Sequence, residues 1–288
     1  MTNILITGSN GQLGLELQVL SKNYPYNFFF RDKSSLDITD KEQLKDFISD
    51  NSINVIINTA AYTAVDKAEE YKDSADRVNH LAVKYLAEIA KYKKIKFIHI
   101  STDYVFNGEN FKPYTEDDKT NPNSIYGVTK LAGENAMQSI NPQNSIIIRT
   151  SWVYSSFGNN FVKTMLRLGQ KRDSIGVIYD QVGTPTYAKD LAKAILDIIP
   201  KIINKRVQIY NYTNEGVLSW YDFAKEIMRM TKLKCYITPI ETKEYPTPAS
   251  RPHYSLLNKS KMKKEFGIMI PYWKDSLDKS LKIMGERK

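Results

Sequence analysis

The stretch NILITGSNGQLGLEL, residues 3–17, constrains this chain more than any other. An apolar run ends at Thr7, glycines follow at Gly8, Gly11 and Gly14, and a helical pattern opens at Gln12. The spacing is G-x-x-G-x-x-G rather than the commoner G-x-G-x-x-G, but the physics is shared. Glycines let the backbone turn tightly and come close to a pyrophosphate, which sits at the N-terminus of the helix that follows. A plain glycine turn would need no such helix. The placement between a first strand and a first helix favours dinucleotide binding.

The remainder of the first half keeps that rhythm. FFF (28–30) ends a second strand, and Asp40 can cap the helix after it. NVIINTA (54–60) reads as a third strand, and Val78, Leu81, Ala82, Tyr85, Leu86 and Ile89 line one face of a long helix. KFIHIST (96–102) and SIIIRT (145–150) complete the series, with a helix carrying Tyr126 between them. Short apolar runs alternating with helices predict parallel βαβ units. The expected fold is therefore α/β: a Rossmann-type doubly wound parallel sheet over 1–150, to which parts of 151–215 return, with a smaller C-terminal substrate-binding lobe over 151–288. In that second part the helix over 188–196 is capped near Tyr187, 207–213 reads as a strand, and 218–231 reads as a helix capped by Ser219. WKDSLDKSLKIM (273–284) reads as a C-terminal helix, and the proline-rich 245–255 as an extended loop. A cleft between the two parts is the natural ligand site.

Composition narrows the classes. No run approaches the ~20 apolar residues of a membrane helix, and the first fifteen residues lack the basic region of a signal peptide. Cys235 is the single cysteine, which suits a reducing cytoplasm. His80, His99 and His253 have no metal-ligand spacing around it, so a His/Cys metal site is not expected. The net charge of +9 is spread along the chain, with clusters at 91–96 and 259–264 that read as solvated faces. Without an RNA-recognition or helix-turn-helix signature, it points to phosphorylated or nucleotide-linked ligands rather than nucleic acid.

STDYVFNG (101–108) follows the fourth strand, where α/β sheets bind ligands beyond the strands' carboxyl ends. Thr102 and Asp103 fall there. In SIYGVTKLAGE (124–134), Tyr126 and Lys130 share one helix face. Lys130 could instead pair with Glu134, four residues on. In place beside the fourth strand, the catalytic reading prevails. A phenol of pKa ~10 needs help to exchange a proton near neutrality. A nearby ammonium is expected to lower that pKa and to hydrogen-bond a dinucleotide ribose. Thr102 would hold a substrate carbonyl oxygen beside the phenol.

The ordered set GSNGQLGLEL, LDITD, VIINTAAYTAVDKAE, STDYVFNG, YGVTKLAGE, RTSWVY, GNNFVKTML, DQVGTPTY, SWYDFA and YPTPASRP resembles the extended short-chain dehydrogenase/reductase family, and within it the dTDP-4-dehydrorhamnose reductases. The resemblance implies reduction of the 4-keto group of a dTDP-sugar substrate by a nicotinamide cofactor, and the end of the second strand points to NADPH in preference to NADH. The resemblance also implies catalysis by Thr102, Tyr126 and Lys130. Gly11, Gln12 and Leu13 would lie on the pyrophosphate, Asp37 and Ile38 near the adenine, and Ala60, Ala61 and Tyr62 along the cofactor channel. Arg31, at the end of the second strand, would read the 2′-phosphate, with Asp32 one residue away as a complication and Lys33 and Ser34 in reach. Asp103, Trp152, Asn160 and Arg251 would meet the substrate, Arg251 through its diphosphate; Trp152 reads equally as a core aromatic. Some members hold magnesium at a homodimer interface. Glu16 matches one ligand position, but Lys189 stands where a glutamate is expected, which opposes both the ion and that dimer. Other readings are a different nucleotide-sugar 4-ketoreductase and a regulatory subunit like that of methionine adenosyltransferase.

Overall fold

The computed structural model describes residues 1–287. The first half contains β1 (Thr2–Thr7), α1 (Gln12–Ser21), β2 (Tyr26–Arg31), α2 (Lys41–Asp50), β3 (Val55–Asn58), α3 (Val65–Ala68), α4 (Lys72–Asp76), α5 (Ala82–Lys93), β4 (Lys96–Thr102), α6 (Ile125–Ile140) and β5 (Ser145–Thr150). The second contains β6 (Val153–Tyr154), α7 (Phe161–Gly169), β7 (Ser174–Ile178), β8 (Val182–Gly183), β9 (Thr186–Tyr187), α8 (Ala188–Ile198), β10 (Gln208–Asn211), β11 (Leu218–Ser219), α9 (Trp220–Thr231), β12 (Tyr236–Ile240), α10 (Ser260–Phe266) and α11 (Trp273–Ile283).

Among the described residues the main sheet runs β10-β5-β4-β3-β1-β2, parallel throughout. Its strands are apolar on both faces, as a sheet covered by helices on each side requires. Side chains alternate across it: Ile4 and Ile6 face a core completed by Leu17 of α1 and by Leu191 and Ile195 of α8. Leu5 faces another with Leu44 of α2 and with Val83 and Leu86 of α5. β2 and β3 lie on opposite sides of β1, so the winding reverses beside β1 and leaves a crevice past its carboxyl end. The second part contributes β10 to the sheet and α8 to its first face, where Met262 and Phe266 of α10 also pack. The remaining helices α7, α9 and α11 surround Phe223, Ile227, Trp273 and Leu277 in a separate core.

Asp40 accepts from Gln43 N at 3.0 Å and caps α2. Ser219 caps α9 in a reciprocal box with Asp222, but the helix starts at Trp220 and Leu218–Ser219 pair with β8. The long helix read over 78–89 forms, but its first part, Arg77–Leu81, is a π-helical turn. There Asn79 turns inward, accepting from Tyr62 N at 2.9 Å and donating to Tyr62 O and Thr129 Oγ1, both at 3.2 Å. Gly133 of α6 allows the close approach, since a Cβ there would lie 2.2 Å from Asn79 O. The segment 245–255 is irregular and stitches the halves: Tyr254 N donates to Gly108 O, and Val182 N to His253 O. Among the described residues no helix is long and apolar enough to cross a membrane.

Candidate active site

A cavity of about 1150 Å³ opens past the carboxyl ends of the central strands. It slightly exceeds the ~300–1,000 Å³ usual for one small ligand. The glycine turn forms its floor. Gly8 has φ +68°, and a Cβ on it would lie 2.5 Å from Ala60 N. A Cβ on Gly14 would lie 2.6 Å from Gly8 O. Gly14 thus closes the turn from behind and does not line the cavity, whereas Gly8, Gly11, Gln12 and Leu13 do. With Gly11 at its N-cap, α1 has no capping side chain and presents its first amides to the cavity. This cradle of missing Cβ atoms and open helix amides fits a dinucleotide diphosphate.

Asp37, Ile38, Ala60, Ala61 and Tyr62 line the same cavity. Arg31 does not. Its guanidinium lies over the Phe47 ring, 4.8 Å from the centroid, and donates to the Phe30 carbonyl at 2.8 Å. The last residue of β2 thus points its side chain onto α2, which leaves Arg31 off the cavity wall where the 2′-phosphate contact was expected. Asp32, Lys33 and Ser34 line the cavity instead, as does Arg77 from the π turn. The Asp32 carboxylate is held low, at about 2, by Ser35 and Ser34, and takes a 2.5 Å bond from Asn10. Hydrophobic periodicity could not single out Arg77, because the π turn re-aims it.

Thr102, Asp103, Tyr126 and Lys130 come together on the cavity wall. Thr102 ends β4, donates to Asp103 Oδ1 at 3.0 Å and accepts from Tyr104 N at 3.2 Å. Ser124 caps α6, which brings Tyr126 against Tyr104 edge-on at 5.4 Å. Burial pushes the Tyr126 phenol up to about 12, against a downward pull from Thr102. The expected lowering by Lys130 is absent from the described arrangement. Lys130 Nζ donates to Ile100 O at 2.6 Å and faces His99 Nε2 at 3.4 Å, so its contacts are with β4 rather than with the Tyr126 phenol. Burial lowers Lys130 to about 8, with Glu134 raising it. Glu134 pairs not with Lys130 but with Arg149, whose Nη2 lies 2.7 Å away and whose Nε lies 3.0 and 3.2 Å from the two oxygens. Ser101 completes that buried carboxylate's shell at 2.5 Å.

Asp103 is 2% exposed, and its Oδ2 has no partner among the described residues. Burial pushes its carboxyl up to about 7. Trp152 lines the cavity in the left-handed region, φ +50°, and stacks on Trp220 at 3.7 Å. Such strain in a non-glycine residue persists only where packing over-determines it. Asn160 is not on the cavity wall: it caps α7 and donates to Gln12 Oε1 at 2.9 Å, steadying a residue that is. Arg251 is also off the wall, its guanidinium forked onto Asp66 at 2.7 and 3.0 Å. Glu16 is buried and accepts from Ser155 at 2.6 Å; burial raises its carboxyl, while Ser155 and Lys189 pull it down. No group of three or more His, Cys, Asp or Glu suited to a metal occurs among the described residues.

Residues 1–285 match the family described as the RmlD substrate binding domain. A dTDP-4-dehydrorhamnose reductase of Aggregatibacter actinomycetemcomitans is 43% identical, over 96% of this chain and 97% of its own. A crystal structure of a dTDP-4-dehydrorhamnose reductase from Clostridium acetobutylicum superposes with a TM-score of 0.94 at 44% identity, covering 99% of this chain and all of that one. One from Bacillus anthracis, solved in complex with NADP, also gives 0.94, at 36% identity over 98% of this chain and all of that one. The chain belongs to the RmlD substrate-binding-domain family, that of the dTDP-4-dehydrorhamnose reductases.

Proposed function

We propose that the protein reduces the 4-keto group of dTDP-4-dehydro-6-deoxy-L-mannose with NADPH to give dTDP-L-rhamnose, the last step of dTDP-rhamnose synthesis. The observation that carries this reading is one cavity with a glycine turn at one end and Thr102 with Tyr126 at the other. The nicotinamide, when bound, supplies a hydride to the sugar's C4. The chain's own part is the oxygen. Tyr126 donates its phenolic proton to the developing alkoxide, so that C=O becomes CH–OH. A phenol pushed up to about 12 stays protonated at neutral pH, the state a proton donor needs. Thr102 positions the keto oxygen, and the Lys130 ammonium steadies the cofactor ribose.

Gly8, Gly11, Gln12 and Leu13 take the diphosphate of the cofactor, with Gly14 closing the turn. Ala60, Ala61 and Tyr62 flank its middle, and Asp37 and Ile38 its adenine. Lys33, Ser34 and Arg77 meet the 2′-phosphate, while the Asp32 carboxylate suits a free 2′-hydroxyl; NADPH is therefore preferred and NADH accepted. Asp103 and Trp152 face the sugar, with Asn160 acting through Gln12. Arg251 reaches the substrate diphosphate by leaving Asp66. The separate core around Phe223 supports residues 151–288 as mainly a substrate lobe. A cytoplasmic homodimer is the expected setting.

The test is NADPH oxidation with purified dTDP-4-dehydro-6-deoxy-L-mannose beside UDP- and GDP-linked 4-keto sugars. Preference for the dTDP sugar supports the proposal. Turnover only with another nucleotide, or with none, overturns it.

A further inference from the structure

Behind Lys130 lies a row of buried polar side chains that neither the glycine turn nor the proton donor accounts for. Thr7, Asn58 and His99 are register partners on β1, β3 and β4, so they form a line across the sheet at its carboxyl edge. All are at most 1% exposed. Thr7 Oγ1 donates to Asn58 Oδ1 at 2.6 Å, and Ala60 N donates to the same oxygen at 3.2 Å. Asn58 Nδ2 lies 3.1 Å from His99 Nδ1, and His99 Nε2 lies 3.4 Å from Lys130 Nζ.

The direction of the line follows from one group that can only donate. The Ala60 amide requires an acceptor, which fixes the Asn58 oxygen toward it and the Asn58 NH₂ toward His99. His99 Nδ1 must then accept, and a neutral imidazole with an accepting Nδ1 carries its proton on Nε2. That N–H faces the Lys130 amine. Burial and the neighbouring lysine keep the imidazole from taking a second proton, its pKa being well below the usual histidine value. The other charge facing Lys130 is Glu134 on its own helix, and Arg149 of β5 already compensates it.

We propose that His99, held as its Nε2–H tautomer by Thr7 and Asn58, is a positioning residue that weakens proton binding at Lys130 and steers the amine toward the Ile100 carbonyl and the cavity. Two donors face each other when Lys130 is charged, whereas the neutral amine can accept the Nε2–H bond. The line also ties the strand end beside Gly8 to the helix carrying Tyr126. The inference rests on the reading of Lys130 as a cofactor contact, and its first test does not depend on that reading.

With ¹⁵N-histidine labelling only three histidines contribute signals, and His99→Asn assigns one of them. The inference expects His99 to remain a neutral Nε2–H tautomer from about pH 6 to about pH 9, outlasting the ordinary titration near 6.5. An Nδ1–H tautomer or an imidazolium overturns it, whatever the protein reduces. The second arm measures the NADPH dissociation constant against pH in wild type and His99→Asn, which keeps an acceptor for Asn58 but removes the N–H from Lys130. The weakening of binding as Lys130 loses its proton should move upward by about one pH unit, a tenfold change in proton affinity. An unmoved profile overturns the proposal. Failure of 4-keto-sugar reduction with the tautomer as stated would fault the proposed reaction instead.

Discussion

Replacing Asp103 by Asn should make the protein more stable, and increasingly so as pH rises. Asp103 is enclosed between Thr102 and the cavity, with one oxygen bonded and the other unpartnered. Burial is the main cause of the rise in its pKa from 3.8 to about 7. The folded value lies above the unfolded one, so the favourable contribution is present below about pH 4 and lost as pH rises through about 7. A carboxyl so displaced costs on the order of 4 kcal/mol once fully ionised, at about 1.36 kcal/mol per pKa unit. Asparagine keeps the shape, accepts the Thr102 hydroxyl on its oxygen and presents its NH₂ toward the cavity, but cannot ionise. Urea denaturation of both proteins at a series of pH values isolates the effect, because the other titrating groups are common to both. The stability difference should grow toward Asp103→Asn by roughly 2–4 kcal/mol between about pH 4 and pH 9. A difference independent of pH would refute the reasoning.

Tyr126→Phe should lower turnover by about 10²–10⁴-fold while NADPH binding stays nearly intact, since the ring remains and the proton source does not; near-wild-type rates would misassign the donor. Arg31→Ala should leave the ratio of kcat/KM for NADPH and NADH within about twofold, because the guanidinium is spent on Phe47, whereas Lys33→Ala should cut it by roughly 3–10-fold. The reverse pattern would restore Arg31 as the phosphate reader. Activity should also survive exhaustive EDTA treatment, with Lys189 beside Glu16 making a divalent ion unfavourable there; a loss restored by magnesium would count against that argument.

What could be read from the chain was what local pattern encodes. β4 covers Lys96–Thr102, as the apolar run ending in Ser-Thr implies, and the caps at Asp40 and Ser219 form because each side chain meets an amide three residues on. The alternation of strands and helices was enough for the parallel sheet. What escaped depends on partners distant in sequence. Asn79 sits in a π turn within a helix of good periodicity, its amide meeting Tyr62 and Thr129. YITPI becomes β12 despite Pro239, pairing with β7 alone, a position that tolerates a missing donor. At the site, proximity of residue types suggested that Lys130 acts on Tyr126. The fold instead directs Lys130 to Ile100 and His99, and reserves Glu134 for Arg149. Arg251 looked free for a diphosphate until Asp66, nearly two hundred residues earlier in the chain, was seen to hold it. None of these choices is visible in spacing, because each is made by a partner that only the fold brings alongside.

In the proposed reaction a hydride reaches C4 of a dTDP-linked sugar in this cavity while Tyr126 protonates O4. The most direct measurement uses NADPH carrying deuterium at nicotinamide C4, on the face it transfers, with dTDP-4-dehydro-6-deoxy-L-mannose as substrate and NMR of the product. Wild type should give dTDP-L-rhamnose with deuterium at C4 of the sugar, and Tyr126→Phe should form almost none over the same time. Deuterium at another carbon, a product epimeric at C4, or equal labelling by the two proteins would contradict it.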